Sequence, residues 1–376
     1  MIEIREVKTK KEIKDFILFP TKLYKNNDFY VPTLYLDEKE MFKKGFTYSS
    51  QAEFKCFNAY KDNKIVGRIQ GIIQHAANEK WHQKRIRFTR FDAIDDKEVS
   101  KALFDAVKNY GLLSGAIEIV GPLGFSDFER EGLLVEGFDQ YQTFEEQYNF
   151  DYYESLILNY GFKKEIEWVE SRLTYKKEYS ERIHALSKKS HELYGLYRDV
   201  PNKGESKGHY IKRVAEEFFN IVDIGYEKIY GTVPFTPEMK KQVMTEFKLL
   251  LDPKYIIIIR NKEHKAVAMG LGFPTLTKIF NHTSGRLTLG RILKIFKSVK
   301  NPEGIDMGLV AVLPDYLNSG IVAPIIEALF NCFEIDHINF LETNLNLVDN
   351  KEVRALWKYF NENQNKKRRS YVYKIK

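Results

Sequence analysis

Apolar positions along this chain switch between a two-residue and a three-to-four-residue period, and the switches come in the same order in both halves. Alternation at residues 2–7 predicts a strand, and Thr9 is placed to cap a helix in which Ile13, Phe16 and Ile17 share a face. Residues 53–60 and 65–73, joined by the turn sequence Lys-Asp-Asn-Lys, predict a hairpin. A third strand is expected at 85–94. The helix after it carries Val99, Leu103, Ala106, Val107 and Tyr110 on one face and leads to a strand at 116–122. Residues 151–162 read as a helix and 167–175 as the strand that closes the unit. Residues 176–183 are charged and poor in apolar side chains, the composition of a linker.

Beyond that point the order recurs. Helices expected around 207–219 and 237–251 lead to strands at 255–260 and 266–273, a hairpin about the turn NKEHK. A basic amphipathic segment follows, then a strand at 306–313, a loop and helix, a strand at 337–343, a helix at 350–360 and a strand at 369–375. Residue identity between the halves is faint, so the repeat is one of pattern. The expected fold class is α+β in α/β layers. It consists of two tandem domains, 1–178 and 184–376, each with a mixed, mostly antiparallel central sheet flanked by helices.

Composition narrows the picture. The 376 residues exceed one ordinary domain, and 43% apolar with 14% aromatic residues supply large cores. A formal charge of +7, from 59 basic and 52 acidic residues, favours anionic ligands without the concentrated basic face of a dedicated nucleic-acid binder. Cys56 and Cys332 lie far apart within apolar patterns, as buried free thiols of a reducing compartment do. The charged first residues are unlike a secretory signal, and no apolar run approaches the roughly 20 residues that span a bilayer. A cytoplasmic protein without a membrane span is expected. The eight histidines are scattered, so no metal site is expected.

Four segments carry candidate chemistry. In LPDYLNSGIVAPIIEALF, 313–330, a valine-rich strand runs into a glycine turn and a helix. The amides of Asn318, Ser319, Gly320 and Ile321 would suit a diphosphate, and a simple helix start is the plainer alternative. The counterpart in the first half, FDAIDDKEVSKAL, has Asp95, Asp96 and Glu98 there and would repel one. Glu342, at a strand end, could act as general base through a water or merely cap the strand. The inserted loop 121–153 sets Asp127, Glu129 and Glu131 among aromatics including Tyr148 and Tyr152. That mixture suits an amine-bearing acceptor, or simply a solvated loop packed down by its rings. Residues 285–300 put Leu289, Ile292, Leu293, Phe296 and Val299 on one face, to cover a sheet or to meet a membrane or an acidic carrier. Lys366, Lys367, Arg368 and Arg369 read as a solubilising turn before the last strand.

The doubled order of elements resembles the GNAT acyltransferase superfamily, over nearly the whole chain and in two tandem copies. The superfamily loop V-x-P-x-Y-(R/Q)-x-x-G-(I/L)-(G/A) is matched at Val312, Pro314, Tyr316, Gly320 and Ile321, and departs at Leu317 and Val322. Asn350 matches the asparagine before the last helix. Trp357 stands where a tyrosine is usual, and Tyr359 is two positions off, about 200° around a helix. The resemblance implies an acetyl-CoA or other acyl-CoA donor held by Val310, Ala311, Val312, Asn318, Ser319, Gly320, Ile321 and Asn350. It also implies acyl transfer to a small-molecule or peptide amine without a metal. A Fem-like transferase using charged tRNA, and a non-catalytic binding protein of the same fold, remain alternatives.

Overall fold

The computed structural model describes residues 1–317 and 319–375, and the side chains of all of these but 246 and 248. The first half runs β1 (Ile2–Glu6), α1 (Lys10–Leu23), α2 (Tyr35–Glu40), β2 (Ala52–Lys61), β3 (Lys64–Gln74) and α3 (His75–Lys80). It continues through β4 (Arg85–Ala93), α4 (Lys97–Leu113), β5 (Glu118–Gly121), β6 (Leu133–Glu136), α5 (Tyr152–Tyr160) and β7 (Lys163–Thr174). Then come α6 (Ser180–Tyr194), β8 (Tyr197–Arg198), α7 (Lys207–Gly225), α8 (Pro237–Glu246), β9 (Ile256–Arg260), β10 (Ala266–Pro274) and α9 (Thr277–Phe280). The last elements are α10 (Leu289–Lys300), β11 (Gly304–Val312), α11 (Val322–Glu334), β12 (Phe340–Glu342), β13 (Asn346–Leu347), α12 (Lys351–Arg354) and β14 (Asn361–Lys374).

All strands belong to one sheet, in the order β1-β2-β3-β4-β5-β14-β7-β12-β11-β10-β9-β8, with β13 on β7 and β6 on β14. The β2–β3 hairpin closes on Asp62 and Asn63, both at positive φ, as a tight two-residue turn requires. The run of isoleucines in β9 is buried on both faces: Ile257 and Ile259 enter one core, Ile256 and Ile258 the other. Most neighbours are antiparallel. The exceptions are β4 with β5 and β11 with β12, each parallel over three residue pairs before the strands diverge. Each diverging strand carries a bulge just beyond the split, at Arg90 in β4 and Gly308 in β11.

Three expectations change. The strand β7 does not pair with β5: β14 lies between them, and β7 instead borders β12. We propose a division into two units that exchange their closing strands. The expected linker is a 3-10 turn, Lys177–Tyr179, leading into α6. Its buried stripe is Ile183, Ser187 and Ser190, too polar to register as an apolar period. The four basic residues before the last strand lie inside β14. Lys366 and Arg368 are fully buried, where they meet Glu146, Glu170 and Glu342, while Lys367 and Arg369 alternate outward to Glu136 and Glu167.

Candidate functional site

The split in the second half is the centre of the site. Strands β11 and β12 pair from Gly304 to Asp306 against Phe340 to Glu342 and then separate. Met307, Gly308, Leu309 and Val310 form one wall of the resulting wedge, Thr343 to Asn346 the other, and Trp168 and Trp357 line it. At the Gly308 bulge, Leu271 faces Leu309 while Gly272 faces Met307, so one extra residue turns the backbone toward the gap. The wedge opens to both faces of the sheet. A cleft toward α11 is lined by Met307, Val310, Ile325, Leu329 and Trp357.

On the α11 side, β11 ends at Val312 and the chain turns through Pro314–Tyr316. The Tyr316 hydroxyl accepts from Asn261 Nδ2 at 2.8 Å, and Ser319 Oγ donates to the Tyr316 carbonyl at 2.7 Å. Gly320 has φ of +73°, and its carbonyl accepts from Ser190 Oγ at 2.8 Å. Among the described residues no side chain caps the start of helix α11. Its counterpart α4 is closed: Asp96 accepts from the amides of Glu98 and Val99 and pairs with Lys61. Val310, Ala311 and Val312 lie on β11 and Ser319, Gly320 and Ile321 precede α11, whereas Asn318 is outside the described residues. Asn350 lines the wedge with its side chain accepting from the Val353 amide as the cap of α12. Trp357 is buried and donates through Nε1 to Asn346 Oδ1 at 3.0 Å. The expected helix at 350–360 is accordingly cut to α12 and a 3-10 turn, Trp357–Tyr359.

On the other side, the loop after β5 reaches across from the first half and sets Asp127, Glu129 and Glu131 in the wedge wall. Glu131 is buried, and burial together with the neighbouring Asp127 charge pushes its carboxyl up to about 8, against the pull of Arg87. Burial likewise pushes Asp127 up to about 6, and its Oδ1 has no hydrogen-bond partner among the described residues. Glu129 is tied down, accepting from the Phe125 amide at 2.9 Å and pairing with Arg90 at 3.3 Å. The Arg87 guanidinium donates to the carbonyls of Gly124 and Gly231, which fixes the acidic loop against the second half.

Glu342 is placed differently. It is buried and bound by Arg172 Nε at 2.8 Å, Asn365 Nδ2 at 2.8 Å and Lys366 Nζ at 3.3 Å. It lines a separate cavity with Asp306, Arg172 and Phe340. Tyr148 lines a second cavity together with Glu129, its hydroxyl donating to the Phe138 carbonyl at 3.1 Å. Tyr152 gives its hydroxyl to the Ala93 carbonyl at 2.8 Å and lines neither this cavity nor the wedge.

Two features had no sequence signal. Tyr226, just past α7, points its hydroxyl into the wedge and donates to the Val310 carbonyl at 3.3 Å; burial raises its phenol. The second is that cavity, of about 230 Å³, walled by the apolar Tyr30, Leu34, Met41, Phe144, Leu276 and Phe280 and by the charged Glu38, Arg68, Arg90, Asp92 and Arg130. It meets the wedge through the shared residues Phe128, Glu129, Glu145, Val243 and Phe247. No group of metal-binding side chains occurs among the described residues.

One continuous sheet split at two places, between β4 and β5 and between β11 and β12, has the fold of the GNAT N-acetyltransferases in its tandem form. The tandem GNAT protein from the clavulanic acid biosynthesis pathway matches 100% of this chain and 99% of its own, with a TM-score of 0.53 at 10% identity. The glucosamine N-acetyltransferase region of a fungal multi-domain β-N-acetylglucosaminidase matches 99% of this chain and 38% of its own, with a TM-score of 0.59 at 11% identity. At such identities the likeness is one of fold. In sequence, the chain is similar to protein YghO of Escherichia coli, 27% identical over 292 residues, 76% of this chain and 71% of that protein. It is also similar to the bacterial ceramide synthase of Caulobacter vibrioides, 29% identical over 140 residues, 37% of this chain and 36% of that protein. This chain thus spans little more than a third of the fungal chain, and its match reaches about as much of the ceramide synthase. No protein-family profile matches the chain.

Proposed function

We propose that the chain is an acyl-CoA-dependent N-acyltransferase whose acceptor is an amine carrying an alkyl chain. The observation that carries this reading is the wedge itself, with the start of helix α11 at one mouth and two buried, high-pKa carboxyls at the other. The donor diphosphate would rest on the amides before α11, where the helix dipole favours an anion, with the thioester laid along 307–310. The acceptor enters as an ammonium. Glu131, assisted by Asp127, takes a proton from it, and the neutral nitrogen attacks the thioester carbon. The N–C bond forms and the C–S bond breaks, and the leaving thiolate takes a proton from Tyr226, which lines the wedge. The nitrogen gives up its second proton through water to the Tyr226 oxygen, leaving a neutral amide and thiol, and Glu131 sheds the first proton to solvent.

The apolar part of the cavity that shares Phe128 and Glu129 with the wedge supports the alkyl chain, as does the partial similarity to a ceramide synthase, since a ceramide is the amide of a long-chain amino alcohol. The test is release of free coenzyme A thiol with a series of primary alkylamines. KM is expected to fall by roughly fourfold per added methylene until the apolar part of the cavity is filled, following the ~0.8 kcal/mol transferred per methylene. No thiol release with any amine, together with no heat on titrating acyl-CoA into the protein, would sink the proposal.

A further inference from the structure

Helix α10 is held to the molecule along one side only. Ile295 is buried and Ile292 and Val299 are half-buried, yet Leu289, Leu293 and Phe296 are 83%, 69% and 50% exposed. At 100° per residue these three fall within about 60° of one another, so they form a stripe and not scattered exposures. Sequence periodicity placed them on one face with Ile292 and Val299, to cover a sheet or to meet a membrane or an acidic carrier. The structure rotates that face so that only its edge touches the protein. Residues 285–300 contain five cations and no carboxylate. Lys294, Lys297 and Lys300 are exposed, and no carboxylate pairs with them among the described residues.

Leu287, two residues before the helix and 40% exposed, and Leu249, 48% exposed, both line the cavity, as Ile295 does from the buried side. One entrance to that cavity therefore lies at the foot of α10. A surface that pairs large apolar side chains with a one-signed row of cations matches an anionic lipid interface, where the apolar face sinks below the headgroups and the lysines meet phosphates. An acidic protein would be met by the cations alone and would leave three large apolar side chains without a role.

We infer that this face docks on an anionic bilayer and that the acceptor's alkyl chain passes from the bilayer into the cavity past Leu287 and Leu249. The second half of this statement rests on the acyltransferase reading; the docking does not. The experiment is co-sedimentation of the full chain, without any acyl donor, with vesicles of phosphatidylcholine alone or mixed with phosphatidylglycerol. Binding is expected only to the mixed vesicles and should weaken with salt. Leu293→Asp with Phe296→Asp is expected to abolish it, and Lys294→Ala with Lys297→Ala to weaken it about tenfold or more, from the loss of two surface cations. All four side chains point into solvent, so unchanged melting temperatures are expected and serve as the folding control.

No sedimentation with either vesicle at low salt would overturn the inference, as would equal binding to both vesicles or binding that survives the double aspartate change. Capture by an acidic carrier protein, lost in the lysine variant while vesicles stay unbound, would overturn it in favour of a protein partner. Thiol release with a short, water-soluble amine, measured without vesicles, reports separately on the acyltransferase reading.

Discussion

A carboxyl group buried as deeply as Glu131 destabilises the fold whenever it ionises. Its folded pKa of about 8 lies above the ordinary 4.5, so the native protein keeps a proton that the unfolded chain releases. Stability from this group is therefore full below about 4.5 and is lost as pH rises toward 8. Glu131→Gln is expected to raise the melting temperature by several degrees at pH 8 and hardly at all near pH 4, measured by thermal unfolding across pH. The same substitution should lower kcat/KM about a hundredfold and remove its rise with pH, whose midpoint in the parent protein is expected near 8. A rise that persists in the variant would assign the base elsewhere. Tyr226→Phe should reduce kcat by roughly ten- to a hundredfold with little change in KM, and an unchanged kcat would leave the leaving thiolate to water. The three loop carboxylates were legible because acids among aromatics are unusual in a loop. Tyr226 was not, because a residue just past a helix has no period to mark it. Arg87 alternates in β4 like any strand arginine, and only the fold shows that it is buried on two carbonyls.

Among elements, the turn before α11 answers to one residue. A Cβ at Gly320 would sit 2.7 Å from Ser190 Oγ, at a φ that side chains rarely adopt. Gly320→Val is expected to shift this turn and cut acyl-CoA affinity at least tenfold by calorimetry. Thermal unfolding should fall only modestly, since α11 keeps its buried face. Affinity equal to that of the parent protein would move the donor away from this loop. The strands of the two hairpins, β4, β11, α4 and α11 were readable because their apolar periods are strong. Helix α6 was hidden by serines: Ser187 and Ser190 pack against α11 by hydrogen bonds to Glu327 and the Gly320 carbonyl, which no hydrophobic period records. The length of β14 was hidden in the opposite way. Residues 361–369 look like a solvated turn, yet Lys366 and Arg368 are fully buried because charges from three other segments converge on them.

For the whole molecule, that convergence is a joint between the halves. Lys366 Nζ lies 2.9 Å from Glu146, 2.8 Å from Glu170 and 3.3 Å from Glu342, and Arg368 adds a second contact to Glu170 at 2.5 Å. Glu146 comes from the acidic loop, Glu170 from β7 and Glu342 from β12. The cations Arg368 and Lys366 hold the Glu170 carboxyl low, while burial and the neighbouring Glu170 charge push the Glu146 carboxyl up. Lys366→Met should cost roughly 3–5 kcal/mol, because it leaves buried carboxylates without their cation. Denaturant unfolding measures it, and a loss below about 1 kcal/mol would show that the carboxyls simply take up protons. Separate expression of residues 1–178 and 184–376 is expected to give two aggregation-prone fragments that regain solubility only when produced together. Monomeric, cooperatively melting fragments would contradict the exchange of β7 and β14.

That exchange also sets an order of events during synthesis. Strand β5 has no partner on one side until β14 arrives, and some two hundred and forty residues separate them. At about 5–20 residues per second, the first half waits on the ribosome for tens of seconds with that sheet edge uncovered. Nascent chains stalled before residue 361 should therefore be bound by chaperones and cut readily by protease in the first half, and chains released after 374 should not. A protein built this way gains its central joint in one late step.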